Sequence, residues 1–146
     1  GGAMATRDGT AEWRGDLRNG SGTVSVASGL FDGTYSFATR FEEEPGTNPE
    51  ELIAAAHAAC FSMALSNILA EAGHTAESVG TTAKVHLRFV DGAPTIAQID
   101  LITEGRVPGI DQDQFADFAA QAKAGCPVSR ALAGVGEITL DATLTS

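Results

Sequence analysis

Cys60 and Cys126 are the only thiols in the chain and stand 66 positions apart. Cys60 lies inside a long apolar run, and Cys126 lies in the phrase Lys123-Ala-Gly-Cys-Pro-Val-Ser129. Two thiols that meet in space form a redox pair, cycling between dithiol and disulfide. Two that stay apart are packing groups, since free cysteine is among the most buried residue types.

Local physics treats the two thiols differently. Cys60 sits well into a predicted helix, among Ala56, Ala59, Met63 and Ala64. Burial there raises a thiol's pKa and makes it inert unless a positive group lies near. Two residues offer that charge. His57 stands three positions earlier on the same helix face. Arg40 stands alone in Thr39-Arg-Phe-Glu-Glu-Glu-Pro45, and Glu50 is a carboxylate free to hold its guanidinium. Each has a plainer reading: a satisfied core histidine, a surface ion pair, and a first-turn acid favoured by the helix dipole. Cys126, followed by Pro127 at a predicted first helical position, stands where backbone N–H groups point outwards and favour a thiolate. On local grounds Cys126 is the more acidic thiol.

Three other chemistries fit parts of this pattern. Cys60, His57 and Cys126 make at most a three-ligand zinc site, with spacings unlike a zinc finger. A thioredoxin-type dithiol has Cys-x-x-Cys, which is absent. A non-catalytic dimer binding an apolar ligand in its interior, with the thiols merely buried, also accommodates these residues.

The elements that must position the thiols are legible from patterning. Thr10 to Leu17 alternates as a strand, Arg18 to Gly22 is a turn, and Thr23 to Val26 alternates again, so the pair reads as a hairpin. A third strand is predicted over Tyr35 to Thr39. Asn48 as cap, Pro49 at the first helical position and Glu51 as capping-box acceptor then start a long helix. No charged residue interrupts it from Leu52 to Ala70, and Gly73 closes it. A helix apolar around its whole circumference is buried on all sides or spans a membrane. His57, Ser62, Ser66 and Asn67 argue for burial, with a second subunit as the best cover. Ala83 to Val90 and Thr95 to Glu104 form a second hairpin around Asp91-Gly92. Asp111 to Ala124 is a helix with Phe115, Phe118, Ala119 and Ala122 on one face. A short helix runs from Cys126-Pro127 to Leu132, and Ile138 to Leu144 alternates as a last strand. The order is three strands, a long helix, two strands, two helices and a strand (β3-α-β2-α2-β), an α+β domain.

Bulk properties narrow the function. A chain of 146 residues is the size of one domain, placed at residues 4–146, with residues 1–3 (Gly1, Gly2, Ala3) read as a cloning remnant. A net charge of −10 repels phosphate backbones and argues against nucleic-acid binding. The absence of a signal-peptide pattern leads to an expectation of a soluble, cytoplasmic protein that does not insert in a membrane. Two cysteines in that compartment are no structural framework, and a disulfide there is transient and catalytic.

Asn48-Pro-Glu-Glu-Leu-Ile-Ala-Ala-Ala-His-Ala-Ala-Cys-Phe-Ser-Met-Ala-Leu65 and Lys123-Ala-Gly-Cys-Pro-Val-Ser129 resemble the two signatures of the OsmC/Ohr family of thiol peroxidases. Thr39-Arg40-Phe41 and Gly46-Thr47 resemble the OsmC branch in particular, and the similarity runs from about Gly9 to the end. The resemblance implies an intertwined, domain-swapped homodimer with the two long helices buried between sheets. It implies reduction of organic (alkyl or fatty-acid) hydroperoxides without metal, flavin or other cofactor. Residue by residue, the peroxidatic cysteine falls on Cys60 and the resolving cysteine on Cys126. The activating arginine and its carboxylate fall on Arg40 and Glu50. The Ohr branch carries its arginine in an early loop, where this chain has Arg18. The implied partners are the hydroperoxide and an external dithiol, with lipoyl-bearing proteins as the reductant class. The family assignment reverses the local ranking of the thiols, so a positive charge must outweigh burial at Cys60.

Overall fold

The computed structural model describes residues 5–146, so Gly1 to Ala3 lie outside the described residues. Two compact units divide the chain, one ending at Leu52 and the other spanning Ile53–Ser146.

The first unit holds β1 (Gly9–Arg14), β2 (Ser21–Val26) and β3 (Asp32–Tyr35), an antiparallel sheet in the order β1-β2-β3. Gly22 pairs with Trp13 on one side and Tyr35 on the other. A Cβ on Gly22 would strike both rings, so its bare backbone lets Trp13 and Tyr35 tilt together with centroids 5.3 Å apart. The strand predicted over Tyr35 to Thr39 is a correction. β3 stops at Tyr35, and Phe37–Phe41 is a short helix, α1. Ser36 caps it: Thr39 N–H donates to Ser36 Oγ at 3.2 Å, and Ser36 N–H donates to Thr39 Oγ1 at 2.8 Å. Threonine completes the reciprocal cap here, in the place where a glutamate or glutamine would announce it in sequence.

The long helix α2 runs Pro49–Glu71. Asn48 Oδ1 accepts the Glu51 N–H at 2.8 Å, while Asn48 Nδ2 donates to the Thr39 carbonyl at 3.0 Å and ties the start of α2 to α1. At the other end Gly73 turns left-handed (φ 90°), and His74 N–H reaches back to the Leu69 carbonyl at 2.8 Å.

In the second unit, β4 (Ser78–Val90) and β5 (Ala93–Arg106) form an antiparallel hairpin across Asp91-Gly92, both at positive φ. Two further helices, α3 (Gln112–Gly125) and α4 (Pro127–Ala131), lead to β6 (Glu137–Leu144), which returns parallel to β5. The sheet order is β4-β5-β6. Ile99, Leu101, Thr103, Gly105 and Val107 are buried at every second position, the inward face of a half-buried strand. The core joins them to Phe115, Ala119 and Ala122 of α3 and to Phe61, Leu65 and Leu69 of α2. Phe115 lies where a Cβ on Gly105 would be, which explains a glycine in mid-strand.

The expectation that α2 is covered on all sides is not met within one chain. His57, Phe61, Leu65 and Leu69 have no exposure and form one i, i+4 stripe. Around the rest, Ala55, Ala56 and Ala59 are exposed and Met63 is 77% exposed. By length and composition α2 could cross a membrane, with 22% of its apolar window buried. It is nevertheless stitched to the second sheet by hydroxyls. Ser62 Oγ donates to Thr81 Oγ1 at 2.7 Å, which lies 3.0 Å from Thr103 Oγ1, which in turn donates to the Gly80 carbonyl.

Candidate active site

In the first unit, α1 and the first turn of α2 bring Arg40 and Glu50 together. Arg40 Nε and Nη2 donate to Glu50 Oε1 and Oε2 at 2.9 and 3.0 Å, a two-pronged, charge-assisted pair. The Glu50 side chain is 9% exposed and the Arg40 side chain 36%, so the carboxylate is the anchor and the guanidinium keeps an open edge. Glu50 also stands in the first turn of α2, where the helix dipole favours a negative charge.

Arg40 forms part of the wall of a cavity of about 210 Å³, together with Trp13, Leu17, Tyr35, Ser36, Phe37 and Phe41. The Arg40 guanidinium carbon lies 5.2 Å from the Phe41 ring centroid, and the Phe37 and Phe41 rings meet at 4.9 Å. Sequence reasoning missed this aromatic lining. A signal was present: the chain's one Trp and one Tyr both lie on the first sheet and both face a glycine across it. Arg18, the alternative arginine, lies with its guanidinium carbon 4.6 Å from the Phe37 centroid. Among the described residues it forms no ion pair.

In the second unit the two cysteines meet. Both are free thiols, with Cys126 buried and Cys60 partly exposed. Cys126 is near enough to Cys60 to shift its ionisation. Burial pushes the Cys60 pKa above its ordinary value, and the neighbouring Cys126 thiol pushes it further up. Against them, the backbone N–H of Val128 points at Cys60 and pulls the other way.

That N–H belongs to α4, whose cap is Cys126 itself: its Sγ accepts the Ser129 N–H at 3.3 Å. The helix start that local physics credits to Cys126 therefore presents Val128 to Cys60 as well. One turn of backbone serves both sulfurs.

His57, the other local candidate for a positive group, is buried, and burial lowers its pKa, which favours the neutral imidazole. Its Nε2 lies 2.7 Å from Ser129 Oγ. Among the described residues no three His, Cys, Asp or Glu side chains are grouped as metal ligands.

With this geometry in view, residues 41–141 match the OsmC-like protein family, and the chain belongs to that family. It is 55% identical over 141 residues to the peroxiredoxin OsmC of Escherichia coli K12, covering 96% of this chain and 97% of that protein. It is 31% identical over 98 residues to the organic hydroperoxide resistance protein OhrA of Bacillus subtilis, covering 67% of this chain and 68% of that one. The fold superposes on the crystal structure of OhrB of Bacillus subtilis with a TM-score of 0.75 at 26% identity, covering 98% of this chain and all of that one.

Proposed function

We propose that the chain is a cysteine-based peroxidase that reduces organic hydroperoxides to alcohols. The observation that carries this reading is the proximity of two free thiols at one helix start, with Cys126 and the Val128 N–H both acting on the Cys60 thiol. The names of its relatives, a peroxiredoxin and organic hydroperoxide resistance proteins, support the same substrate class.

In this reading Arg40, held by Glu50, supplies the positive charge that stabilises the Cys60 thiolate and orients the peroxide. The thiolate attacks the O–O bond, the alcohol leaves, and Cys60 becomes a sulfenic acid. Cys126 then displaces the oxygen as water and closes a Cys60–Cys126 disulfide, which an external dithiol reopens. A lipoyl-bearing protein is the proposed reductant. The aromatic cavity beside Arg40 suits an alkyl or aryl hydroperoxide better than hydrogen peroxide.

The exposed apolar side of α2, with Ala55, Ala56, Ala59 and Met63, supports a homodimer in which the two long helices cover one another, intertwined as in the swapped arrangement. The same reading places the protein in the cytoplasm, where a transient disulfide can be reduced again. Sedimentation at micromolar concentration should give twice the chain mass, and Met63→Glu should shift it towards one.

The direct test adds one equivalent of cumene hydroperoxide to reduced protein and follows free thiols and intact mass. Loss of both thiols together with two hydrogens per chain is the expected result. Two intact thiols after prolonged exposure would overturn the reading in favour of an apolar-ligand-binding dimer.

A further inference from the structure

Hydrogen bonds around the thiols continue past Cys126 into the protein. Cys126 Sγ donates to Ser129 Oγ at 3.2 Å, and Ser129 Oγ lies 2.7 Å from His57 Nε2. Three side chains thus form one line, and Cys60 neighbours its Cys126 end. The Ser129 hydroxyl has a single proton. With Cys126 donating into its oxygen, that proton points at Nε2, which makes Nε2 the acceptor of neutral His57. His57 is 0% exposed and Ser129 5%.

The remaining nitrogen, Nδ1, is buried and without a hydrogen-bond partner among the described residues. A buried unpaired nitrogen costs stability that an apolar side chain of similar shape would avoid. Packing alone therefore does not account for an imidazole here, whereas a role for Nε2 does.

We propose that Ser129 and His57 are positioning residues for the resolving thiol, forming a relay that takes the Cys126 proton as the disulfide closes. The step rests on the peroxidase reading above. The Cys126 sulfur attacks the Cys60 sulfur of the sulfenic acid, so an S–S bond forms and the Cys60 S–O bond breaks, with oxygen leaving as hydroxide. The Cys126 proton passes to Ser129 Oγ as the Ser129 proton passes to His57 Nε2. The imidazolium returns its proton through Ser129 Oγ to the departing hydroxide, which leaves as water. The net change is sulfenic acid plus thiol to disulfide plus water.

Two features suit this task. Ser129 also donates its backbone N–H to Cys126 Sγ at 3.3 Å, so the residue that removes the proton steadies the sulfur as charge develops. Burial keeps His57 neutral, ready to accept a proton and to release it again. The ionisable group on its hydrogen-bonded line is the Cys126 thiol, with Cys60 beside it. Among the described residues no Asp, Glu, Lys or Arg side chain bonds to it, and burial is the only cause of its lowered pKa.

The test mixes the reduced full chain with one equivalent of cumene hydroperoxide and quenches it over time, reading peroxide consumed and free thiols remaining. In wild type the disulfide should follow closely on peroxide loss. In Ser129→Ala and His57→Gln the disulfide should fall behind sulfenic acid formation by at least about tenfold, the lower end of what proton transfer by a placed side chain contributes. Intact mass should then catch the one-oxygen adduct, and Ser129→Thr, which restores a hydroxyl, should recover most of the rate.

Closure in Ser129→Ala should also climb with pH between about 6 and 8, because the thiolate must then form unaided, while wild type stays flatter. Closure as fast in Ser129→Ala as in wild type would overturn the relay. So would slow closure with no dependence on pH, which marks a displaced Cys126 only. If wild type consumes no peroxide, the peroxidase reading fails and this proposal falls with it.

Discussion

The unit ending at Leu52 and the unit Ile53–Ser146 contribute opposite kinds of group. In the first, a permanently charged guanidinium lies at the edge of an aromatic cavity, its fork fixed by a nearly buried carboxylate. In the second, two free thiols lie near one another, Cys126 buried and Cys60 partly exposed, the latter pushed away from ionisation by its surroundings. Arginine stays charged wherever it is placed, so the protein has only to control its direction, and a bidentate carboxylate does that. A thiol's direction follows from its helix, and its charge state is what the environment must set. The contrast explains why Arg40 needs a partner with geometry, while Cys60 needs donors and a positive field.

The largest effect should come from removing the nucleophile. Cys60→Ser should abolish hydroperoxide consumption, read as loss of cumene hydroperoxide in the presence of a dithiol, and turnover surviving in that variant would sink the assignment of Cys60.

Arg40→Ala should slow peroxide consumption by about 100-fold, the scale expected for losing one preorganised charge at a reacting centre. Its residual rate should rise with pH, since a thiol whose pKa is raised ionises only above its ordinary range. Arg40→Lys should rescue little, because an ammonium cannot hold both Glu50 oxygens. If Arg18→Ala is the slower variant, the comparison between the two arginines is reversed.

Leu65→Ala tests the interior without touching the chemistry. Leu65 is fully buried in the second core, and truncation should cost about 3 kcal/mol in urea unfolding. A cost near zero would mean that Leu65 is not the packed core contact its burial indicates.

The smallest effect concerns His57. Its folded pKa lies below the unfolded value near 6.5, so the unfolded chain binds more protons as pH falls through that range. The stability of wild type should therefore be fully present above about pH 6.5 and decline as pH falls towards the folded pKa. The shift in urea midpoint between about pH 7.5 and 5.5 should shrink in His57→Gln. An equal shift in both proteins would mean that His57 is not the buried group responsible.

Much of the fold is readable residue by residue because its signals are local. Asn48-Pro49 starts α2, Asp91-Gly92 turns β4 into β5, and Asp111 caps α3 with Gln114 in reciprocal bonds. Such signals act within four or five residues, so neighbouring sequence suffices to find them. The stretch after Tyr35 misled for the same reason: the Ser36–Thr39 cap is local but uses an uncommon pair, and the alternating apolar residues imitate a strand.

Sequence by itself determined the two thiol contexts, the carboxylate and the arginine available to each other, and the apolar helix that holds Cys60. Only the tertiary structure decided that the start of α4 would serve Cys60 through Val128, that Ser129 would join Cys126 to a buried His57, and that Trp13 and Tyr35 would close over Gly22. The reason is physical. Capping and alternation are settled within a few residues, whereas the field at Cys60 is set in part by groups brought from 66 and 68 residues away, Cys126 and Val128, and only packing chooses which groups those are.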